Sequence, residues 1–223
     1  IDRDIGIRSN VVQYIYQDRD LNLWLALENG ISKVNYHSPL SYFDEKTGIE
    51  GNVQSVIRFN EKIYVGTSYG LFVQNDVTYG TRRFRNTGIV KDQVWDFTIV
   101  DNFLYIATAN GMFKTKDGET ITQINYQNST IVLYRESAEE FIVGGARGIF
   151  VYNNNFEEKW SSENNFSTFL GAEIDPQDEN TIWLGTVKSG AIRLVANGTG
   201  YTIDQYGDVD GLIDGLGKPM IFE

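Results

Sequence analysis

The chain has no cysteine, a single histidine and 3 prolines in 223 residues, and each shortage removes a class of chemistry. Without thiols there is no disulfide framework, no thiol catalysis and no Cys-ligated zinc, and the count fits an oxidising or a reducing compartment equally. His37 alone cannot build a multi-His metal site, and the "NYHSPLSYF" around it holds no nucleophile elbow, so it reads as a solvated loop residue. No run of 18 apolar residues and no signal-peptide pattern occurs, so direct membrane insertion by this region is not expected. Basic residues are outnumbered 19 to 30, for a net charge of −11. No basic stripe interleaves with the aromatics, which argues against nucleic acid and anionic membrane as partners. Neither a phosphate loop nor a dinucleotide fingerprint is present, and no cofactor is expected.

What the chain does have is repetition. "NLWLALENGISKV" from Asn22 returns as "KIYVGTSYGLFVQ" from Lys62, "FLYIATANGMFKT" from Phe103, "EFIVGGARGIFVY" from Glu140 and "TIWLGTVKSGAIRLV" from Thr181. The anchors Trp24, Tyr64, Tyr105, Ile142 and Trp183 are each followed by a small residue and then by a turn glycine: Gly30, Gly70, Gly111, Gly148 and Gly190. Successive anchors are about 40 residues apart, a period that belongs to propellers and solenoids. An apolar run precedes each anchor ("VVQYIY", "VQSVIRF", "VWDFTIV", "IVLYR", "FLGAEI"), and a more polar strand closes each unit ("LSYFD", "TRRFR", "ITQINY", "FEEKW", "YTIDQY"). Each unit therefore predicts four short strands rich in β-branched and aromatic residues.

The second strand is apolar without alternation, as in Leu23-Trp24-Leu25-Ala26, which calls for cover on both faces. Radially repeated four-stranded antiparallel sheets supply that cover, so the fold class expected is an all-β propeller of about five blades. The blades are placed at roughly 10–51, 52–92, 93–129, 130–167 and 168–210, within one domain over 1–223. The glycine between second and third strands is expected in a two-residue turn of positive φ, best at Asn29-Gly30 and Asn110-Gly111. Trp24, Tyr64, Tyr105 and Trp183 are expected between neighbouring blades. The chain starts without Met, and its tail "DVDGLIDGLGKPMIFE" reads as another Gly-Leu linker with the first strand of a further blade over 211–223, so a piece of a longer protein is expected.

The wording of the first unit, "IYQDRDLNLWLALENGISKVN", resembles the two-component regulator propeller repeat through Tyr16, Asp18, Asp20, Asn22, Leu23, Trp24, Asn29, Gly30 and Ile31. The fifth unit follows through Asp175, Asp178, Asn180, Trp183, Gly185 and Gly190, while the middle three keep the spacing and lose most of the Asp turn. The WD and kelch patterns fit worse, because the Gly-His and Trp-Asp marks and the Gly-Gly in every blade are missing. The resemblance implies a periplasmic sensor region of a bacterial histidine kinase or hybrid regulator, often detecting carbohydrate. Its implied partners are a small-molecule or oligosaccharide ligand and further blades and signalling domains of the same protein, and it admits a homodimer.

Candidate chemistry is sparse. Asp18-x-Asp20-x-Asn22 opens like a calcium loop, but Leu23 and Asn29 stand where the loop needs Gly and a bidentate Glu, so a hairpin turn is the reading and no metal is expected. "TKDGET" at Thr115–Thr120 is similar to the Asp-box of sialidase-like propellers, and an Asp-Gly hairpin explains it as well. Asp96 and Glu173 lie in predicted first strands, where a pair of carboxylates for glycoside hydrolysis is the enzymatic alternative, a protein-protein interaction scaffold being the other; no catalytic residue is assigned. Binding is the better expectation, at the face shared by the second-to-third-strand turns and the linkers, with Tyr69, Trp95, Arg147 and Lys188 as ligand-binding candidates.

Overall fold

A computed structural model describes residue 9 and residues 11–34, 43–75, 83–164 and 166–211. Its regular structure is antiparallel β, with short 3-10 turns as the helical structure among the described residues. The first sheet runs β1 (Val12–Gln17), β2 (Leu23–Leu27) and β3 (Gly30–Val34). The second is β4 (Val53–Phe59), β5 (Lys62–Thr67), β6 (Gly70–Gln74) and β7 (Phe84–Asn86). The third is β8 (Val94–Val100), β9 (Phe103–Thr108), β10 (Gly111–Thr115) and β11 (Ile121–Asn125). The fourth holds β12 (Ile131–Arg135), β13 (Glu140–Gly145), β14 (Gly148–Asn153) and β15 (Glu158–Ser162), and the fifth β16 (Phe169–Asp175), β17 (Asp178–Thr186), β18 (Ala191–Ala196) and β19 (Tyr201–Tyr206). Strand order within every sheet is the chain order of a meander. The polar run "LSYFD" and His37 fall wholly or largely outside the described residues, as does the tail from 212.

The described chain divides into two compact units, one of the residues up to Glu50 with Gln74–Arg85, the other of Gly51–Val73 with those from Asn86 on. In the first unit Leu25 and Leu27 pack with Leu23 and Val34, while β1 is exposed along its length. In the second unit the first strands β4, β8, β12 and β16 lie side by side in succession, and the sheets stack face to face around them. Three clusters fill the seams. Phe59, Tyr64, Leu71 and Val73 meet Val94, Phe97, Leu104 and Ile106; Tyr105 and Met112 meet Val132, Phe141, Val143 and Phe150; Ile131, Ile142 and Val151 meet Phe169, Ile182, Leu184 and Leu194. The middle strands are thus covered on both faces: β13 is buried at every residue, as its unbroken apolar sequence requires. Burying one such aromatic or aliphatic side chain is worth about 1.5–3 kcal/mol.

Tyr64, Tyr105 and Ile142 sit in these seams. Trp183 does not lie between two sheets among the described residues: it is half-buried and packs on Tyr206 of its own sheet, ring centroids 5.6 Å apart. Trp24 is also half-buried, with the Lys33 ammonium 5.3 Å from its ring.

The glycine turns differ from expectation. The two-residue loops are Glu28-Asn29, Ser68-Tyr69, Ala109-Asn110 and Ala146-Arg147, whose φ are not positive, and the glycine is the next residue, already in the third strand, at φ between 117 and 141° for Gly30, Gly70, Gly111 and Gly148. That region is open to glycine alone. A second reason is proximity: a Cβ on Gly111 would strike the Asn125 carbonyl and one on Gly148 the Ser162 carbonyl, both at the ends of the fourth strands. The turns with two positive φ join first to second strands instead, at Asn60-Glu61 (47 and 62°) and Asp101-Asn102 (48 and 62°).

Candidate functional site

At the linker end of the second unit, each sheet starts its first strand opposite the end of its second: Val53 pairs Thr67, Val94 pairs Thr108, Ile131 pairs Gly144 and Phe169 pairs Thr186. Buried threonines lock the adjoining turns. The Thr108 hydroxyl donates to the Gly111 carbonyl at 2.7 Å and accepts from the Asn110 N–H at 3.3 Å, and Thr67 and Thr186 do the same in their own turns. Linkers then stitch sheet to sheet. The Asn128 amide donates to the Ala109 carbonyl at 3.1 Å and its oxygen accepts from the Ala146 N–H at 2.9 Å, tying the third sheet to the fourth.

This rigid rim carries the four candidate residues, each on a different sheet. Tyr69 is 63% exposed at the tip of its turn. Trp95 is half-buried in β8, its indole Nε1 buried without a hydrogen-bond partner. Arg147 is exposed and paired with Glu163 at 2.9 Å. Lys188 is exposed in the β17–β18 turn. Among the described residues no hydrogen bond, ion pair or ring contact joins any two of the four.

The Asp turns are structural. Asp18 accepts from the Trp24 indole at 2.8 Å, from the Asn22 side-chain amide and backbone, and from the Asp20 N–H at 3.0 Å. These donors, the indole first, hold its carboxyl down to about 2. In the fifth sheet Asp175 accepts from the Trp183 indole at 3.1 Å and the Gln177 N–H at 2.9 Å, and its carboxyl is lowered too. Asp117 in "TKDGET" takes the Glu119 and Thr120 N–H groups at 2.8 and 2.7 Å, an Asp-Gly hairpin. Among the described residues no group of three or more His, Cys, Asp or Glu could hold a metal ion.

Asp96 is occupied as well. It accepts from the Phe97 N–H at 2.8 Å and from the Val132 N–H of the next sheet's first strand at 2.9 Å, so it clamps β8 to β12. Burial outweighs both bonds and pushes its carboxyl up to about 6. Glu173 is exposed beside the turn of the fifth sheet. It lines a depression of about 580 Å³ with Arg135, Glu136, Asp175 and Glu179, and Asp96 has no place in that lining.

Sequence reasoning missed the most heavily charged buried feature, at the opposite end of the strands between the fourth and fifth sheets. Arg135 ends β12 and Glu140 starts β13, and their side chains are 9% and 3% exposed. The Glu140 carboxylate accepts from Arg135 Nη2 at 2.7 Å, from Lys159 Nζ at 2.6 Å and from the Tyr201 hydroxyl. Burial, then the bond and the charge of Glu140, raise the Tyr201 phenol above its usual range. The Arg135 guanidinium also lies 5.5 Å from the Tyr201 ring centroid. These groups line a cavity of about 200 Å³ with Trp160 and Thr199. Glu140 opening "EFIVGG" and Arg135 closing "IVLYR" are the signal: charges on strands otherwise apolar.

No family model matches the chain, and no curated protein matches it. Solved structures do. The extracellular domain of the hybrid two component system BT4673 from B. thetaiotaomicron is 16% identical with a TM-score of 0.54, covering 90% of this chain and 28% of that one. The beta-propeller domain of Myceliophteria thermophila Cps50 (Swd1) is 9% identical with a TM-score of 0.54, covering 91% of this chain and 73% of that one. A chain of the Mitotic Checkpoint Complex is 14% identical with a TM-score of 0.52, covering 87% of this chain and 65% of that one. At such identities the likeness shows the fold: the chain has β-propeller architecture. It spans 28% of the length of the extracellular-domain chain it matches.

Proposed function

We propose that the chain is a ligand-sensing part of the periplasmic region of a bacterial two-component signalling protein, binding a carbohydrate or another small ligand without turning it over. The observation that carries this reading is the repeat itself: the Asp18–Trp24 and Asp175–Trp183 clamps give a physical role to the residues by which the first and fifth units resemble the two-component regulator repeat. That one fold neighbour is the extracellular domain of a two component system supports it. Among the described residues no helix is long and apolar enough to cross a membrane.

The ligand face is the linker end, with Tyr69 and Trp95 as aromatic contacts and Arg147 and Lys188 as hydrogen-bonding cations. One propeller domain over 1–223, with blades near 10–51, 52–92, 93–129, 130–167 and 168–210 and the start of another from 211, is the matching organisation. Binding then favours one arrangement of the blades, and differential affinity passes the signal on. The enzymatic alternative is weakened by Asp96, both of whose oxygens already hold backbone N–H groups.

Immobilised neutral and acidic oligosaccharides test the face directly. Capture by the parent chain, lost in Tyr69→Ala and in Lys188→Ala while both melt normally, is the expected result. Capture unaffected by either change places the ligand elsewhere.

A further inference from the structure

The seam between the fourth and fifth sheets holds a buried ion pair, Arg135 with Glu140, to which the partly exposed Lys159 adds a second cation. Arg135 and Lys159 both face Glu140, whose two carboxylate oxygens are engaged by those two and the Tyr201 hydroxyl. Arg135 forms no ion pair with Glu136, Glu173, Asp175 or Glu179, although all four share a depression with it; its Nη1 donates to the Asn180 side-chain oxygen at 3.5 Å and its guanidinium lies against the Tyr201 ring. Its Nε is buried with no hydrogen-bond partner. A buried guanidinium donor left unpaired costs free energy.

The surroundings describe that acceptor. The cavity beside Arg135, about 200 Å³, is smaller than a typical ligand pocket of roughly 300–1,000 Å³, so it suits one small molecule and not a chain of sugars. Its walls combine the cations with the rings of Trp160 and Tyr201, packed 5.3 Å apart, and with the Gly198-Thr199-Gly200 hairpin of the fifth sheet. Lys159 is 44% exposed along its side chain, so its ammonium can turn from Glu140 toward an incoming anion.

We propose that this cavity binds a small organic monocarboxylate, its carboxylate seated between Arg135 and Lys159 and its body against Trp160 and Tyr201. One negative charge cancels the surplus of one positive charge left by Arg135, Lys159 and Glu140. A planar carboxylate also offers the lone pairs that a guanidinium fork matches. The site spans two sheets, so occupancy stiffens the fourth against the fifth. It lies at the opposite end of the strands from Tyr69 and Lys188, and failure of oligosaccharide binding there leaves it standing.

Isothermal titration of the chain with glucuronate, benzoate and cyclohexanecarboxylate, beside glucose and sulfate, tests it. At least one carboxylate is expected to bind about tenfold or more tightly than glucose and than sulfate, and to weaken as salt rises. Lys159→Gln, whose amide can still donate to Glu140, is expected to weaken that carboxylate about tenfold in a chain that still unfolds cooperatively. Thr199→Trp, at an exposed lining position, is expected to abolish binding by filling the cavity without removing a charge. The proposal is overturned if no carboxylate binds more tightly than glucose, if sulfate binds as well as the carboxylates, or if both variants bind like the parent.

Discussion

The indole of Trp24 donates to the carboxylate of Asp18 at 2.8 Å across the turn between β1 and β2, and Trp183 repeats the bond to Asp175 at 3.1 Å in the fifth sheet. The aspartate–indole pair stands in these two sheets, while the middle three have no tryptophan at the anchor and Tyr64, Tyr105 and Ile142 enter the seams instead. What looks like the start of a calcium loop is a device for orienting a half-buried ring.

The clamp has a pH signature. The Asp18 carboxyl is held at about 2, below the unfolded value, so the stability it contributes is fully present above about pH 4 and is lost as pH falls toward 2. Trp24→Phe removes the largest cause, and NMR titration of the Asp18 carboxyl should then show its midpoint rising toward the usual value near ~3.9. An unchanged midpoint would assign the depression to the Asn22 side-chain amide and the backbone donors.

Asp96 predicts the opposite slope. Its carboxyl titrates at about 6 in the fold, above the unfolded value, so the folded state binds the extra proton between about pH 4 and 6. The contribution is most favourable below pH 4 and falls as pH rises through 6, by on the order of 1–3 kcal/mol. Denaturant melts of the parent against Asp96→Asn should show the parent losing ground to the variant across that window and running parallel to it above pH 7.

Seam position sets the cost of truncation. Tyr64 is 1% exposed, and its hydroxyl closes on Gly118 of the next sheet, so Tyr64→Ala should cost about 3–5 kcal/mol in urea unfolding. Trp183→Ala, at a half-buried ring on its own sheet, should cost clearly less. Equal costs would mean that the half-buried ring carries as much packing as the seam.

Two glycines separate strain from space. Gly148→Ala meets both a φ of 136° and the Ser162 carbonyl, whereas Gly30→Ala, at φ 141°, meets no described atom within 4 Å. The first should lower stability by at least about 2 kcal/mol and the second by about 1–2 kcal/mol, read from thermal or urea melts.

Much of this fold is written in single residues. The anchor, the small residue and the glycine recur because each performs a local job at a fixed place in a four-stranded sheet, and local jobs leave a periodic trace. The loop geometry around those glycines was less legible, since positive φ at Asn60-Glu61 and Asp101-Asn102 needs no glycine and so leaves no mark. Nor does pairing across a seam. Asn128 joins two sheets with one amide, and Tyr201 meets Glu140 from 61 residues away, contacts that no spacing rule reports. The candidate rim residues were visible as turn residues; that they stand on separate sheets with no contact among them was not.

The central claim is that this propeller binds a ligand and leaves it intact. The most direct test is a thermal-shift screen of the chain against neutral and acidic oligosaccharides, with product analysis on every hit. A raised midpoint with the sugar recovered unchanged is the expected result, because a ligand that binds the native state stabilises it by mass action. Cleaved sugar, or a well-folded chain that no sugar stabilises, would contradict it.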